Sequence, residues 1–124
     1  MSTITEIATE LLFPEGPIAM PDGSIIVVEI ARGTLSRVDP NGSTEVIADL
    51  GGGPNGAAIG PDGACYICNN GGFEWIKAGD KTYPGEQPRD YSGGRIERVD
   101  CFRTYRSGLD CEKTSSRFNR LDFI

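Results

Sequence analysis

Glu15-Gly16-Pro17-Ile18-Ala19-Met20-Pro21-Asp22-Gly23 and Asn55-Gly56-Ala57-Ala58-Ile59-Gly60-Pro61-Asp62-Gly63 are the two stretches that decide the fold. They align without a gap at an offset of 40, and the match continues from Ile25-Ile26-Val27-Val28 into Cys65-Tyr66-Ile67-Cys68. Further on, Gly33-Thr34-Leu35-Ser36-Arg37-Val38-Asp39 returns as Gly94-Arg95-Ile96-Glu97-Arg98-Val99-Asp100 at an offset of 61. The second copy therefore carries 21 extra residues between its second and third strands. Both copies read as short apolar runs bounded by turn residues, with no sustained period of 3.6. In the first copy, residues 17–20, 24–30, 34–39 and 43–50 are strand candidates. Pro21-Asp22-Gly23 and Pro40-Asn41-Gly42 turn the chain between them, because Gly reaches positive φ at little cost. Ile25 to Val28 is almost continuously apolar, as expected of a strand covered on both faces. Four strands joined by hairpins make an antiparallel meander. A period near 40 with four strands per unit is the signature of a β-propeller blade, and a pair of meanders in a β-sandwich is the rival reading. The expectation is an all-β chain, a partial β-propeller of about two four-stranded antiparallel blades. Blade 1 covers about 11–50 and blade 2 about 51–100, with an insertion at 73–93.

Composition narrows the chemistry. The chain has 124 residues, 12 Lys+Arg against 18 Asp+Glu, and no histidine. A net charge of -6 disfavours binding to nucleic acid, which calls for a basic surface. The absence of histidine excludes Ser-His-Asp and Cys-His nucleophile systems, HExxH sites and Cys2His2 zinc fingers. No apolar run approaches the roughly 20 residues of a membrane-spanning helix. Met1 to Glu10 lacks the basic start and apolar stretch of a signal peptide, so the expected compartment is the cytoplasm, with reduced thiols. Cys65-Tyr66-Ile67-Cys68 is a CxxC in a predicted strand, where residues three apart point to opposite faces, so buried thiols are expected and a shared zinc or disulfide is not.

The last segment differs. Residues 1–100 hold 7 basic and 15 acidic residues, whereas 101–124 hold 5 basic and 3 acidic, and all eight prolines precede residue 89. The blade text stops at Arg98-Val99-Asp100, and no fourth strand like 43–50 is legible after it. Residues 101–124 are read as an atypical tail, either frameshifted or a natural irregular extension, with Cys101 and Cys111 not convincingly paired. Propellers close with typically 4–8 blades, and one complete blade plus one incomplete blade leaves edges uncovered. The expectation is a piece of a longer protein or self-association through unclosed blade edges.

The words Phe13-Pro14-Glu15-Gly16-Pro17, Pro21-Asp22-Gly23, Leu35-Ser36-Arg37-Val38-Asp39-Pro40, Gly53-Pro54-Asn55-Gly56 and Pro61-Asp62-Gly63, in this order and at blade spacing, resemble one family. It is the gluconolactonase / regucalcin (senescence marker protein) / luciferin-regenerating-enzyme family, and the resemblance covers residues 11–100. It implies a six-bladed β-propeller whose members hydrolyse sugar lactones or related esters with one divalent cation (Ca, Zn, Mg or Mn) in the central channel. The implied cation ligands are the Glu of the EGP word and Asn and Asp residues of later blades. On this reading the chain is the N-terminal part of a metal-dependent sugar-lactone hydrolase, weak or inactive alone. The alternatives are a non-catalytic cation- or sugar-binding propeller and a defective fragment.

Three residues carry the site expectation. The repeat sets Glu15 and Asn55 at equivalent places before the first strand of each blade, and in a propeller that strand lines the channel. A carboxylate and an amide oxygen there are hard donors suited to a divalent cation, which would polarise a lactone carbonyl. Glu15 is therefore a metal candidate, Asn55 a metal or substrate candidate, and Asn70 a substrate-contact candidate; the general base is not identifiable. Asn69 and its repeat partner Glu29 either face the channel mouth, where amides both donate and accept, or belong to a Gly-rich turn with left-handed asparagines. The insertion holds Phe73, Trp75, Tyr83 and Tyr91, which suit a lid over the channel or a loop packed on its own blade.

Overall fold

One turn, built three times, sets the spacing of the strands. In Pro21-Asp22-Gly23 the Gly23 N–H donates to the Met20 carbonyl at 3.0 Å and the Met20 N–H to the Ser24 carbonyl at 2.9 Å. Pro40-Asn41-Gly42 repeats this pair of bonds at 2.8 and 2.9 Å between Asp39 and Ser43, and Pro61-Asp62-Gly63 repeats it at 2.9 and 2.9 Å between Gly60 and Ala64. Each position has its own chemistry. Proline fixes φ at the second place of the turn, and the Asp or Asn side-chain oxygen accepts the N–H two residues on, at 2.9, 3.0 and 3.1 Å. The glycine takes φ of 85°, 86° and 79°. This is the three-residue hairpin loop with a left-handed glycine.

The structure, a computed structural model, describes residues 2–100 and the backbone of 112–116. Strands β1 (Pro14–Ala19), β2 (Ile25–Glu29), β3 (Thr34–Val38) and β4 (Thr44–Asp49) form an antiparallel sheet in the order β1-β2-β3-β4. Strands β5 (Pro54–Ile59) and β6 (Cys65–Asn69) follow, then an insertion hairpin of β7 (Trp75–Ala78) and β8 (Lys81–Pro84), then β9 (Arg95–Asp100) and β10 (Glu112–Ser116). The second sheet runs β10-β9-β6-β5, while β7 and β8 pair only with each other. The chain is all-β, two four-stranded antiparallel meanders in the arrangement expected of a partial propeller. Among the described residues there is no helix.

The second meander has a fourth strand where the sequence reading found none: β10 pairs with β9 from Glu112↔Asp100 to Ser116↔Ile96. Its residues, Glu-Lys-Thr-Ser-Ser, carry no apolar alternation. Residues 101–111 and 117–124, with Cys101 and Cys111, lie outside the described residues.

The two sheets share one core. Ile26, Val28 and Leu35 from the first meet Cys65, Ile67 and Val99 from the second, all 0% exposed, with Leu50 of the connecting segment beside them. β2 and β3 are buried almost throughout, in keeping with a strand covered on both faces, whereas β6 alternates buried and exposed. Cys65 is buried and Cys68 exposed, so the two thiols do point to opposite faces, but only Cys65 is a core residue. Burial pushes the Cys65 thiol up to about 11.

Candidate functional site

The inner strands β1 and β5 meet at glycines. A Cβ placed on Gly16 would lie 3.2 Å from the Ala57 nitrogen and 3.3 Å from the Gly56 Cα, and Gly16 itself holds a left-handed φ of 56°. Only glycine meets both demands cheaply. The register of β1 shifts between Glu15 and Ile18, and that of β5 between Pro54 and Gly56. Both repeat words therefore sit at bulges, devices that re-aim side chains and bend strands. Pro14 and Pro54 open their strands, and Pro17 falls in the bulge, the places where a missing N–H breaks no ladder. As a result Glu15 and Asn55 flank a single close approach of two backbones, and both residues are exposed. Asn55-Gly56 is part of a strand here, not a turn. Asn70 is half-buried, and its Oδ1 accepts the Gly72 N–H at 2.8 Å.

Glu29 and Asn69 are not channel-mouth groups. Both are buried, and both fasten the segment that leads into their own blade. Glu29 Oε1 accepts the Leu12 N–H at 2.8 Å and Arg32 Nε at 2.9 Å; Oε2 accepts Thr34 Oγ1 at 3.1 Å and Ser36 Oγ. Arg32 Nη2 in turn donates to the Glu10 carbonyl at 2.8 Å. Burial opposes ionisation of Glu29, but the bonds from Ser36, Arg32, Leu12 and Thr34 outweigh it and hold the carboxyl below its ordinary value. In the second blade Asn69 Oδ1 accepts the Gly53 N–H at 2.9 Å, and its Nδ2 donates to the Gly51 carbonyl at 2.9 Å and to Glu97 Oε2 at 3.2 Å. Arg95 Nε donates to Glu97 Oε1 at 2.8 Å and Arg95 Nη2 to the Leu50 carbonyl at 2.7 Å.

These are one device built twice. An arginine joins a buried glutamate to the backbone carbonyl of the lead-in segment, and Glu10 and Leu50 are themselves one repeat apart. The partners exchange places: blade 1 carries its glutamate on β2 and blade 2 on β9. The clamp sets where Phe13-Pro14-Glu15 and Gly53-Pro54-Asn55 start. The left-handed asparagines also fail to appear; Gly71 and Gly72 take the positive φ values, 92° and 101°.

The insertion folds back toward the start of β1. Trp75 packs on Phe13, two residues before Glu15, with ring centroids 5.2 Å apart, and Phe73 meets Trp75 edge-on at 5.8 Å. Tyr83 is exposed, and the Tyr91 ring lies against Gly71.

The donors near β1 and β5 suit a hard divalent cation in kind. In number they fall short: Ca²⁺ takes 6–8 oxygens, and among the described residues no group of three or more His, Cys, Asp or Glu is placed to hold a metal. Comparison with known proteins supplies the family. No curated protein matches the chain. The family model described as SMP-30/Gluconolactonase/LRE-like region matches residues 13–115, past Asp100 and into β10. With most of its length matched and its two meanders built from that family's repeat words, the chain belongs to the SMP-30/gluconolactonase/LRE-like family.

Proposed function

We propose that the two blades carry the first part of the cation and substrate site of a metal-dependent sugar-lactone hydrolase. The observation that supports this most is the glycine contact between β1 and β5, which gathers the Glu15 and Asn55 words at one place. Glu15 supplies a carboxylate oxygen and Asn55 an amide oxygen to a divalent cation, and Asn70 approaches substrate hydroxyls. A divalent cation held by these two side chains would supply Lewis-acid polarisation of a lactone carbonyl. With two protein donors the described blades hold it weakly, and no proton-transfer step is assigned to them. The insertion, seated on Phe13, lies on the Glu15 side and serves as a cover over the substrate.

The experiment is Mn²⁺ titration by calorimetry on the chain and its Glu15→Gln variant, with a gluconolactone hydrolysis assay alongside. Weak binding abolished by Glu15→Gln, with little turnover, supports the reading. Equal binding by the variant removes Glu15 from the site, and robust turnover overturns the claim that donors beyond these blades are needed. A binding role without hydrolysis is favoured by one observation: among the described residues no three or more His, Cys, Asp or Glu gather to hold a metal. Cation affinity with no hydrolysis in a six-bladed relative selects it.

A further inference from the structure

Three asparagines of the chain are each followed by glycine: Asn41-Gly42, Asn55-Gly56 and Asn70-Gly71. In such a pair the backbone nitrogen of the glycine can reach the side-chain carbonyl carbon of the asparagine, because glycine puts no Cβ in the way. The sequence does not rank the three; the structure does. In the first, Asn41 Oδ1 accepts the Ser43 N–H at 3.0 Å and the Ser43 hydroxyl at 2.7 Å, while the Gly42 N–H donates to the Asp39 carbonyl at 2.8 Å. In the third, Asn70 is half-buried, its Oδ1 accepts the Gly72 N–H at 2.8 Å, and the Gly71 N–H donates to Asn69 Oδ1 at 3.0 Å. In both pairs the side chain and the glycine nitrogen are held. Asn55 is different. It is exposed, and among the described residues its side chain takes part in no hydrogen bond. The register of β5 shifts between Pro54 and Gly56, so Asn55 is the residue that the bulge leaves without a cross-strand partner.

We propose that Asn55 is a site of spontaneous deamidation, which turns an amide at the meeting of β1 and β5 into a carboxylate. The deprotonated Gly56 nitrogen attacks Asn55 Cγ: the bond from that nitrogen to Cγ forms, and the Cγ–Nδ2 bond breaks. The departing Nδ2 group takes up a proton and leaves as ammonia, and the ring that remains is a neutral cyclic imide. Water then opens the ring. Breaking the bond from the nitrogen to Cγ gives aspartate. Breaking the bond from the nitrogen to the main-chain carbonyl carbon of Asn55 gives isoaspartate, whose backbone runs through the side-chain carbons. Water is the only co-reactant, nothing is oxidised or reduced, and the chain gains a negative charge. The isoaspartate form also lengthens the backbone beside Gly56, the glycine on which Gly16 closes. The reaction uses no cation and no substrate, so it stands or falls apart from the lactonase reading.

The experiment incubates the full chain with EDTA at mildly alkaline pH, in native buffer and in urea, stops samples in acid and digests them with pepsin. Tandem mass spectrometry with electron-transfer fragmentation then reads, at each asparagine, the mass gain of exchanging an amide for a carboxyl, and separates aspartate from isoaspartate. The expected result in native buffer is product at Asn55 first. Asn41 and Asn70 should be slower by about tenfold or more, the factor for a hydrogen bond that must break before the ring closes. In urea the three rates should converge, since only their shared Asn-Gly chemistry then remains. Gly56→Ala should slow the reaction at Asn55 and leave Asn41 and Asn70 unchanged. Among the described residues a Cβ at position 56 meets only the Cys68 Cβ, at 4.0 Å, so the variant folds. Conversion of Asn41 or Asn70 in native buffer at the rate of Asn55 overturns the proposal. So does a native ranking that persists in urea, or an Asn55 that stays intact in native buffer while the unfolded chain converts.

Discussion

Blade 1 and blade 2 share one text and are wrapped differently. β2 is covered on both faces, while β6, its partner at an offset of 40, leaves Tyr66 and Cys68 exposed on the face turned away from blade 1. The residues equivalent to Tyr66 and Cys68 are Ile26 and Val28, the heart of the contact between the sheets. A repeat residue is thus a core residue in one blade and a surface residue in the next, according to whether a neighbour covers that face. The clamps differ in the same way. In blade 1 the arginine side chain is 38% exposed; in blade 2 it is 16% exposed, with its glutamate sealed beneath it.

The largest expected effect breaks the contact the two blades share. Ile67→Ala empties space between the sheets and should lower stability by about 2–5 kcal/mol, read by urea denaturation. Tyr66→Ala, one residue away on the open face, should cost far less, and equal losses would contradict the one-sided packing of β6. Next come the clamps. Glu97→Ala takes the carboxylate partner from the half-buried Arg95 and an acceptor from the buried Asn69 amide, and should cost about 2–3 kcal/mol. Glu29→Ala lets the more exposed Arg32 turn to water and should cost about 1–2 kcal/mol, mainly for the stranded Thr34 and Ser36 hydroxyls. The reverse order would show that exposure of the arginine does not set the difference.

A smaller effect separates the turns by pH. The Tyr66 hydroxyl, the Ala64 N–H and Arg98 hold the Asp62 carboxyl down to about 2, and its counterpart Asp22 is also lowered, first by the Ser24 hydroxyl and N–H. A carboxyl whose folded value lies below its unfolded value stabilises the fold above the unfolded value, and this is lost as pH falls through the folded one. The urea midpoint should therefore fall between about pH 4 and pH 2, and Asp62→Asn should flatten part of that fall. An unchanged profile in Asp62→Asn would remove the turn carboxylate as its source.

The turns were legible because their cause is local. The first inner strand was read as 17–20, whereas β1 opens at Pro14 and takes Glu15 into the strand, as β5 takes Asn55, because the bulge breaks the apolar alternation there. Proline, an Asx residue and a left-handed glycine dictate the hairpin wherever they occur together, and Glu15 and Asn55 could be set in register by counting. β10 was not legible, since Glu112–Ser116 has no apolar alternation. The β7–β8 hairpin was hidden inside the insertion, with no repeat partner to flag it. The clamps were missed for a different reason. Burial of Glu29 and Glu97 is imposed by distant backbone, and sequence patterns favour charged residues outside. A signal was present nonetheless: where the repeat loses Glu29 to Asn69, it gains Glu97 in place of Ser36.

The claim beneath all of this is that the forty-residue echo sets the Glu15 and Asn55 words against each other. The direct test is a nuclear Overhauser spectrum of the isotope-labelled protein, read for cross-peaks from the Gly16 α-protons to the Gly56 α-protons and the Ala57 amide proton. Strong cross-peaks, together with those of the β1–β2 and β5–β6 ladders, are the expected result. Intact ladders with no cross-peak between the two glycines would contradict it.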